Sequence, residues 1–130
     1  MDAREHYLPL ALRLIACITI FGIYPLTLVW PSGWAWHTGR SEYLEMILAI
    51  YATLGVFLWL AAKNPGANLS LISFTIWSSV VHGLVMAAQS LSNPAHVHHL
   101  YGDVLALFVV AGTLAYLCPA AVPPRRSSAA

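Results

Sequence analysis

Residues 43–62 read YLEMILAIYATLGVFLWLAA, a run of twenty positions with one charged side chain, Glu45. A helix needs about 20 apolar residues to cross the hydrocarbon core of a bilayer, and this run has that length. Three more runs have the same character. Leu8 to Trp30 carries a single charge, Arg13; Leu69 to Ser90 carries none; Leu100 to Cys118 carries only Asp103. Between the runs stand Pro31-Ser32-Gly33, Asn64-Pro65-Gly66 and Ser92-Asn93-Pro94, residues that stop helices where a chain must turn. Connections this short make consecutive helices antiparallel neighbours. The expectation is an all-α, transmembrane, antiparallel four-helix bundle with spans near 8–30, 43–62, 69–90 and 100–118.

Composition supports this reading and excludes others. Hydrophobic residues make up 59% of the 130-residue chain and charged residues 8%, against about 25% charged in soluble domains. So few charges cannot cover a water-facing surface. A net charge of +1 with no basic stripe gives no footing for nucleic acid. Cys17 and Cys118 lie on different runs and form no CxxC, so they read as buried, inert thiols. Leu14-Ile15-Ala16-Cys17 has the look of a lipobox, but Arg13 interrupts the apolar run before it and apolar sequence continues after it. The first run is therefore expected to stay as a span rather than be cleaved.

Basic residues set the expected orientation. With the N-terminus inside, Arg4, Lys63, Arg125 and Arg126 lie on the inner side, Arg13 can snorkel there, and Arg40 is left alone outside. Both termini are then cytoplasmic. Residues 1–118 form the membrane domain, and 119–130 form a disordered cytoplasmic tail. Trp30, Trp34 and Trp36 would make an aromatic belt at the outer interface.

This orientation gathers the ionisable residues in the outer half. His37 and Arg40 lie in the first outer loop, and Glu42 and Glu45 open the second helix. His96, His98 and His99 lie in the second outer loop, and Asp103 opens the fourth helix; His82 and Gln89 sit on the third. Helical spacing puts Glu42 and Glu45 on one face, His82, Met86 and Gln89 on another, and His99 above Asp103 on a third. Ionisable groups inside a membrane face a partner or a wet cavity. The economical arrangement is one outward-opening pocket lined by Glu45, His82, Gln89, His99 and Asp103, with Glu42 and His37 at its mouth.

Plainer readings stand beside these. Glu42 and Asp103 sit in first turns, where a carboxylate suits the helix dipole. Glu45 could pair with Arg40 or a histidine, and His82, on a helix with Ser73, Thr75, Ser78 and Ser79, could simply bond across helices. His96 and His98 could be solvated loop residues. Tyr24-Pro25 would kink the first helix, and Gly22, Gly55 and Gly83 would allow close helix contacts.

Four functions fit the constellation. The first is binding of a small lipophilic molecule (a quinone, isoprenoid or lipid) in an apolar bundle with a few convergent polar groups; Glu45 and His82 would be acid and base if catalysis occurred, which is left open. The second is a metal site built from Glu45, His82, His99 and Asp103, with Met46 and Met86 favouring copper were they ligands. The third is an accessory subunit of a homo-oligomer or larger membrane complex. The fourth is a small oligomeric transporter with Glu45 as its proton-coupled carboxylate, though the broken half-helices of many transporters are absent.

The run from Tyr24 to Asp103 resembles a family of uncharacterised small bacterial four-helix membrane proteins. The residues that carry the resemblance are Gly22-Ile23-Tyr24-Pro25, WPSGWAWH from Trp30 to His37, EYLEMILAIYATLGVFL from Glu42 to Leu58, Asn64-Pro65, FTIWSSVVH from Phe74 to His82, and His99 with Gly102-Asp103. The family carries a domain-of-unknown-function label. It implies a bacterial inner-membrane location and a four-helix fold, with no activity and no assigned residues.

Overall fold

The computed structural model describes residues 2–122. Four long apolar helices make up nearly all of it: α1 (Ala3–Val29), α3 (Glu42–Ala61), α4 (Leu69–Ser92) and α5 (Asp103–Leu117), with a short α2 (Pro31–Trp34) in the first connection. Including the 3₁₀ turns that lead into α4 and α5, the four apolar segments run for 27, 20, 28 and 24 residues, each enough to cross a bilayer. The chain is a membrane protein folded as an antiparallel four-helix bundle. Both described ends and the 62–68 turn lie at one end of it, here the terminal end. The 30–41 and 93–102 connections lie at the other, the loop end.

Local sequence accounts for the boundaries. Ser41 caps α3, its hydroxyl accepting from the Leu44 N–H at 3.3 Å, and thereby satisfies one of the first turn's free donors. Asn64 and Asn93 accept in the same way from Ala67 and Ala95, each followed by a proline that opens a 3₁₀ turn, Pro65–Asn68 and Pro94–Leu100. The second of these shows that the outer loop expected to carry His96, His98 and His99 is wound backbone, which delivers His99 to the base of α5. Proline at position 25 has no N–H for the Phe21 carbonyl and its ring crowds that carbonyl; α1 widens into a π turn over Ile18–Gly22 just before it. The irregularity expected at Tyr24-Pro25 thus takes the form of a π turn just before it.

Packing is uneven around the bundle. α1 packs on α3 and α5, and α5 on α4, while α3 and α4 meet at few positions. A Cβ on Gly55 would strike Thr19, Ile20 and the Ala16 carbonyl of α1, and one on Gly83 would press on the Phe108 ring. Those two glycines set the α1–α3 and α4–α5 separations, as small residues do in membranes. Gly22 faces only its own Ile18 and sets no helix contact.

Packing is uneven along the bundle as well. The buried cluster comprises Leu8, Leu12, Ile15 and Ala16 of α1, Leu58 and Ala62 of the α3 end, Ile72 and Ile76 of α4, and Ala111, Leu114, Cys118 and Ala121. All of these lie in the terminal half. Cys118 is buried there as expected, whereas Cys17 is on the exposed surface. The chain stays packed beyond residue 118, since Pro119–Ala121 forms a turn with Ala121 in the core. Residues 119–122 therefore extend the bundle, and the rest of the expected tail, 123–130, lies outside the described residues. Arg13 of α1 lies over the Trp59 ring, 5.9 Å from its centroid, and Arg4 lies 4.6 Å from that of Tyr116, close enough for cation–π attraction.

Candidate functional site

The loop half of the bundle is hollow. A cavity of about 340 Å³ is lined from all four long helices and from the first connection. On α4 the lining residues are Thr75, Ser79, His82, Met86 and Gln89, a single stripe at helical spacing. Thr75 and Gln89 are fourteen residues apart, about 21 Å at 1.5 Å per residue. The cavity is therefore elongated along the bundle axis. Leu44, Ile47, Leu48, Tyr51 and Leu54 of α3 form the facing wall, Ile18, Thr19 and Ile23 of the π-turn region a third side, and Ala106, Leu107 and Val110 of α5 the fourth. Trp34, Trp36 and His37 close the loop end.

Two polar clusters are set into these walls. In the first, the Trp36 indole N–H donates to Asp103 Oδ2 at 2.7 Å. His99 Nδ1 donates to both carboxylate oxygens, at 3.0 and 3.1 Å, and the Val104 N–H donates to Oδ1 at 2.9 Å. His99 is 1% exposed, so its ring is fixed by packing as well as by the bond. Trp36 stacks on it with centroids 4.0 Å apart and on His96 at 5.0 Å. A carboxylate with three donors is well satisfied in an apolar setting, and Asp103 presents its remaining surface to the cavity.

The second cluster is the Tyr51 hydroxyl hydrogen-bonded to His82 Nδ1 at 2.6 Å across the α3–α4 gap. His82 Nε2 has no protein partner among the described residues. When Nδ1 accepts the Tyr51 proton, Nε2 carries the other ring proton and can donate. Seven residues separate His82 from Gln89, so this pair lies about 10 Å below the loop-end rim.

The expected pocket residues divide. His37, His82, Gln89 and Asp103 line the cavity, and His99 stands behind Asp103 as its support. Glu45 does not join them. It lies outside the lining and pairs with Arg40, Nε to Oε1 at 2.7 Å and Nη2 to Oε2 at 3.2 Å, on the exposed side of α3. The hydrogen bond that Arg40 donates to Glu45, and then the carboxylate's charge, raises the Arg40 pKa above its ordinary value. Glu42 is exposed in the first turn of α3, where the dipole accounts for it. His98 is exposed and His96 half-buried.

The residues that sequence reasoning undervalued are Tyr51 and Trp36. Leu44, Leu48 and Tyr51 share one face of α3 by spacing, and Glu45 projects from another; the tyrosine, not the carboxylate, is what α3 brings inward. Trp36, with Trp34, was expected in an interfacial belt. Both turn into the cavity wall instead, and Trp30 is the one of the three left 40% exposed. With Glu45 on the far side, no group of three or more His, Cys, Asp or Glu suited to a metal ion forms among the described residues. The four-ligand arrangement of Glu45, His82, His99 and Asp103 does not assemble.

A family model described as a family of unknown function (DUF6632) matches residues 3–129, and the chain belongs to that family. No curated protein and no solved structure matches it.

Proposed function

We propose, for a chain that belongs to a family of unknown function, that it binds a small, elongated lipophilic molecule with an uncharged polar head. The observation that carries this reading is the cavity: about 340 Å³, within the size range of small-molecule sites, largely apolar, with a few convergent polar groups. Asp103 is the one carboxylate in its wall, and no Lys or Arg among the described residues lines it. A phosphate or carboxylate head would meet a negative group and no fixed cation. A hydroxyl or carbonyl head suits Tyr51, His82 and Gln89, which donate and accept as neutral groups. Long-chain alcohols, isoprenoid alcohols, quinones and neutral glycerides share that chemistry.

The membrane location proposed is the bacterial cytoplasmic membrane with both ends inside. The excess of Arg and Lys at the terminal end supports the orientation, and it places the loop end of the cavity toward the outer side.

The test is lipid extraction and mass spectrometry on protein purified in mild detergent, followed by binding of deuterated hexadecanol. The expected result is a neutral lipophile near one per chain, displaced by hexadecanol and at least tenfold depleted in His82→Leu. A chain that carries only bulk bilayer phospholipid and takes up no hexadecanol ends the reading.

A further inference from the structure

The scarcity of contact between α3 and α4 has a counterpart on the outer surface of the bundle. A shallow groove there is lined by Ala49, Ile50, Thr53, Leu54 and Phe57 of α3 and Leu71 of α4. Ile50 is 68% and Phe57 54% exposed, so the groove faces the hydrocarbon of the bilayer. Leu54 belongs to both the groove and the cavity. On the α4 side, Leu71 of the groove and Thr75 of the cavity floor are one turn apart, joined by the Thr75 hydroxyl bond to the Leu71 carbonyl at 2.9 Å. The deep end of the cavity and the lipid-facing groove thus share a wall.

We infer that the gap between α3 and α4 is a lateral doorway, and that the hydrocarbon tail of the bound molecule lies out through it along the groove. This rests on the lipophile reading above and adds the route and the posture of the ligand. The chemistry favours it on three counts. A lipophile partitions into the bilayer, where it meets the groove directly, while the loop end is capped by α2, Trp34 and Trp36. The α2 cap is fastened: a Cβ on Gly102 would strike the Gly33 backbone, so the two segments are in close contact and Trp36 is bonded to Asp103. Finally, with its head at Tyr51 and His82, about 10 Å above Thr75, a sixteen-carbon tail running toward the floor is longer than the space left to it, and the groove continues the same apolar surface. Beneath the cavity the bundle is packed, with Leu12, Leu58, Ile72 and Leu114 fully buried.

The experiment uses the full chain in phosphatidylcholine vesicles and hexadecanol carrying a diazirine near the end of its tail. After irradiation, labelled residues are mapped with and without excess unlabelled hexadecanol. Doorway occupancy predicts label on Ala49, Thr53 or Phe57 that excess hexadecanol reduces at least fivefold, while label on lipid-facing Leu105 and Val109 of α5 does not change. Competable label confined to the cavity walls, with none in the groove, overturns the doorway and leaves the lipophile reading standing. Absence of competable label anywhere overturns both. Chain-to-chain crosslinks through a Thr53→Cys variant, with the groove closed to the probe, would identify a second copy of this chain as its occupant and also overturn the doorway.

Discussion

Trp36 and Asp103, sixty-seven residues apart in the chain, are joined by a 2.7 Å hydrogen bond from indole to carboxylate. That contact ties the first connection to the base of α5 and so forms the roof of the cavity. It also fixes which way the carboxylate points, because His99 holds the same group from behind.

Trp36→Phe keeps a ring to stack on His99 and removes the donor. A hydrogen bond to a charged group contributes about 1.5–3 kcal/mol, and a loss of that size is expected. Titration with sodium dodecyl sulfate from mild-detergent micelles, followed by circular dichroism, measures it. A variant as stable as wild type would mean the roof is held by packing alone.

Tyr51→Phe removes one hydroxyl from the cavity wall and leaves His82 Nδ1 without its partner. The fold should tolerate it, with a stability change within about 1.5 kcal/mol. Hexadecanol affinity should fall about tenfold, the equivalent of 1.4 kcal/mol. Equal affinity in the two proteins would remove the Tyr51–His82 pair from ligand recognition.

Gly102→Ala places a methyl group into the Gly33 backbone. Backbone cannot swing aside as a side-chain tip can, and overpacking of this kind costs about 1–3 kcal/mol. Gly112→Ala is the matched control on α5, where a Cβ meets nothing within 4 Å and the helix gains from alanine. Thermal denaturation of both should show a drop for the first and none for the second.

Glu45→Gln should change neither stability nor hexadecanol binding. Its partner Arg40 is 80% exposed at the side chain, and exposed ion pairs contribute little. A large loss of binding in this variant would return Glu45 to the site and displace Tyr51 from its place there.

The spans were legible because a membrane helix announces itself by length and apolarity, which need no partner to interpret. The face of α4 that carries His82, Met86 and Gln89 was legible too, since spacing alone puts them in line. The choice between Glu45 and Tyr51 on α3 was harder to read. Glu45 sits in the first turn of α3 and Tyr51 near its middle, and a lone carboxylate in an apolar run draws attention that a tyrosine does not. Arg40, five residues before Glu45, was the available signal for a surface pair, and the 44–48–51 spacing was the signal for the inward face. Trp36 gave no local sign of its role, because its partner is sixty-seven residues away and single-sequence patterns carry no information about such pairings.

A bundle packed solid at one end and hollow at the other is a structure whose core is only half supplied by its own side chains. If the missing half comes from the ligand, folding and lipid supply become one equilibrium. A ligand at a hundred times its dissociation constant adds about 2.7 kcal/mol, a large share of what holds a small domain together. A cell short of that lipophile would then lose the protein itself to its quality-control proteases, so that abundance would report supply without any dedicated sensor.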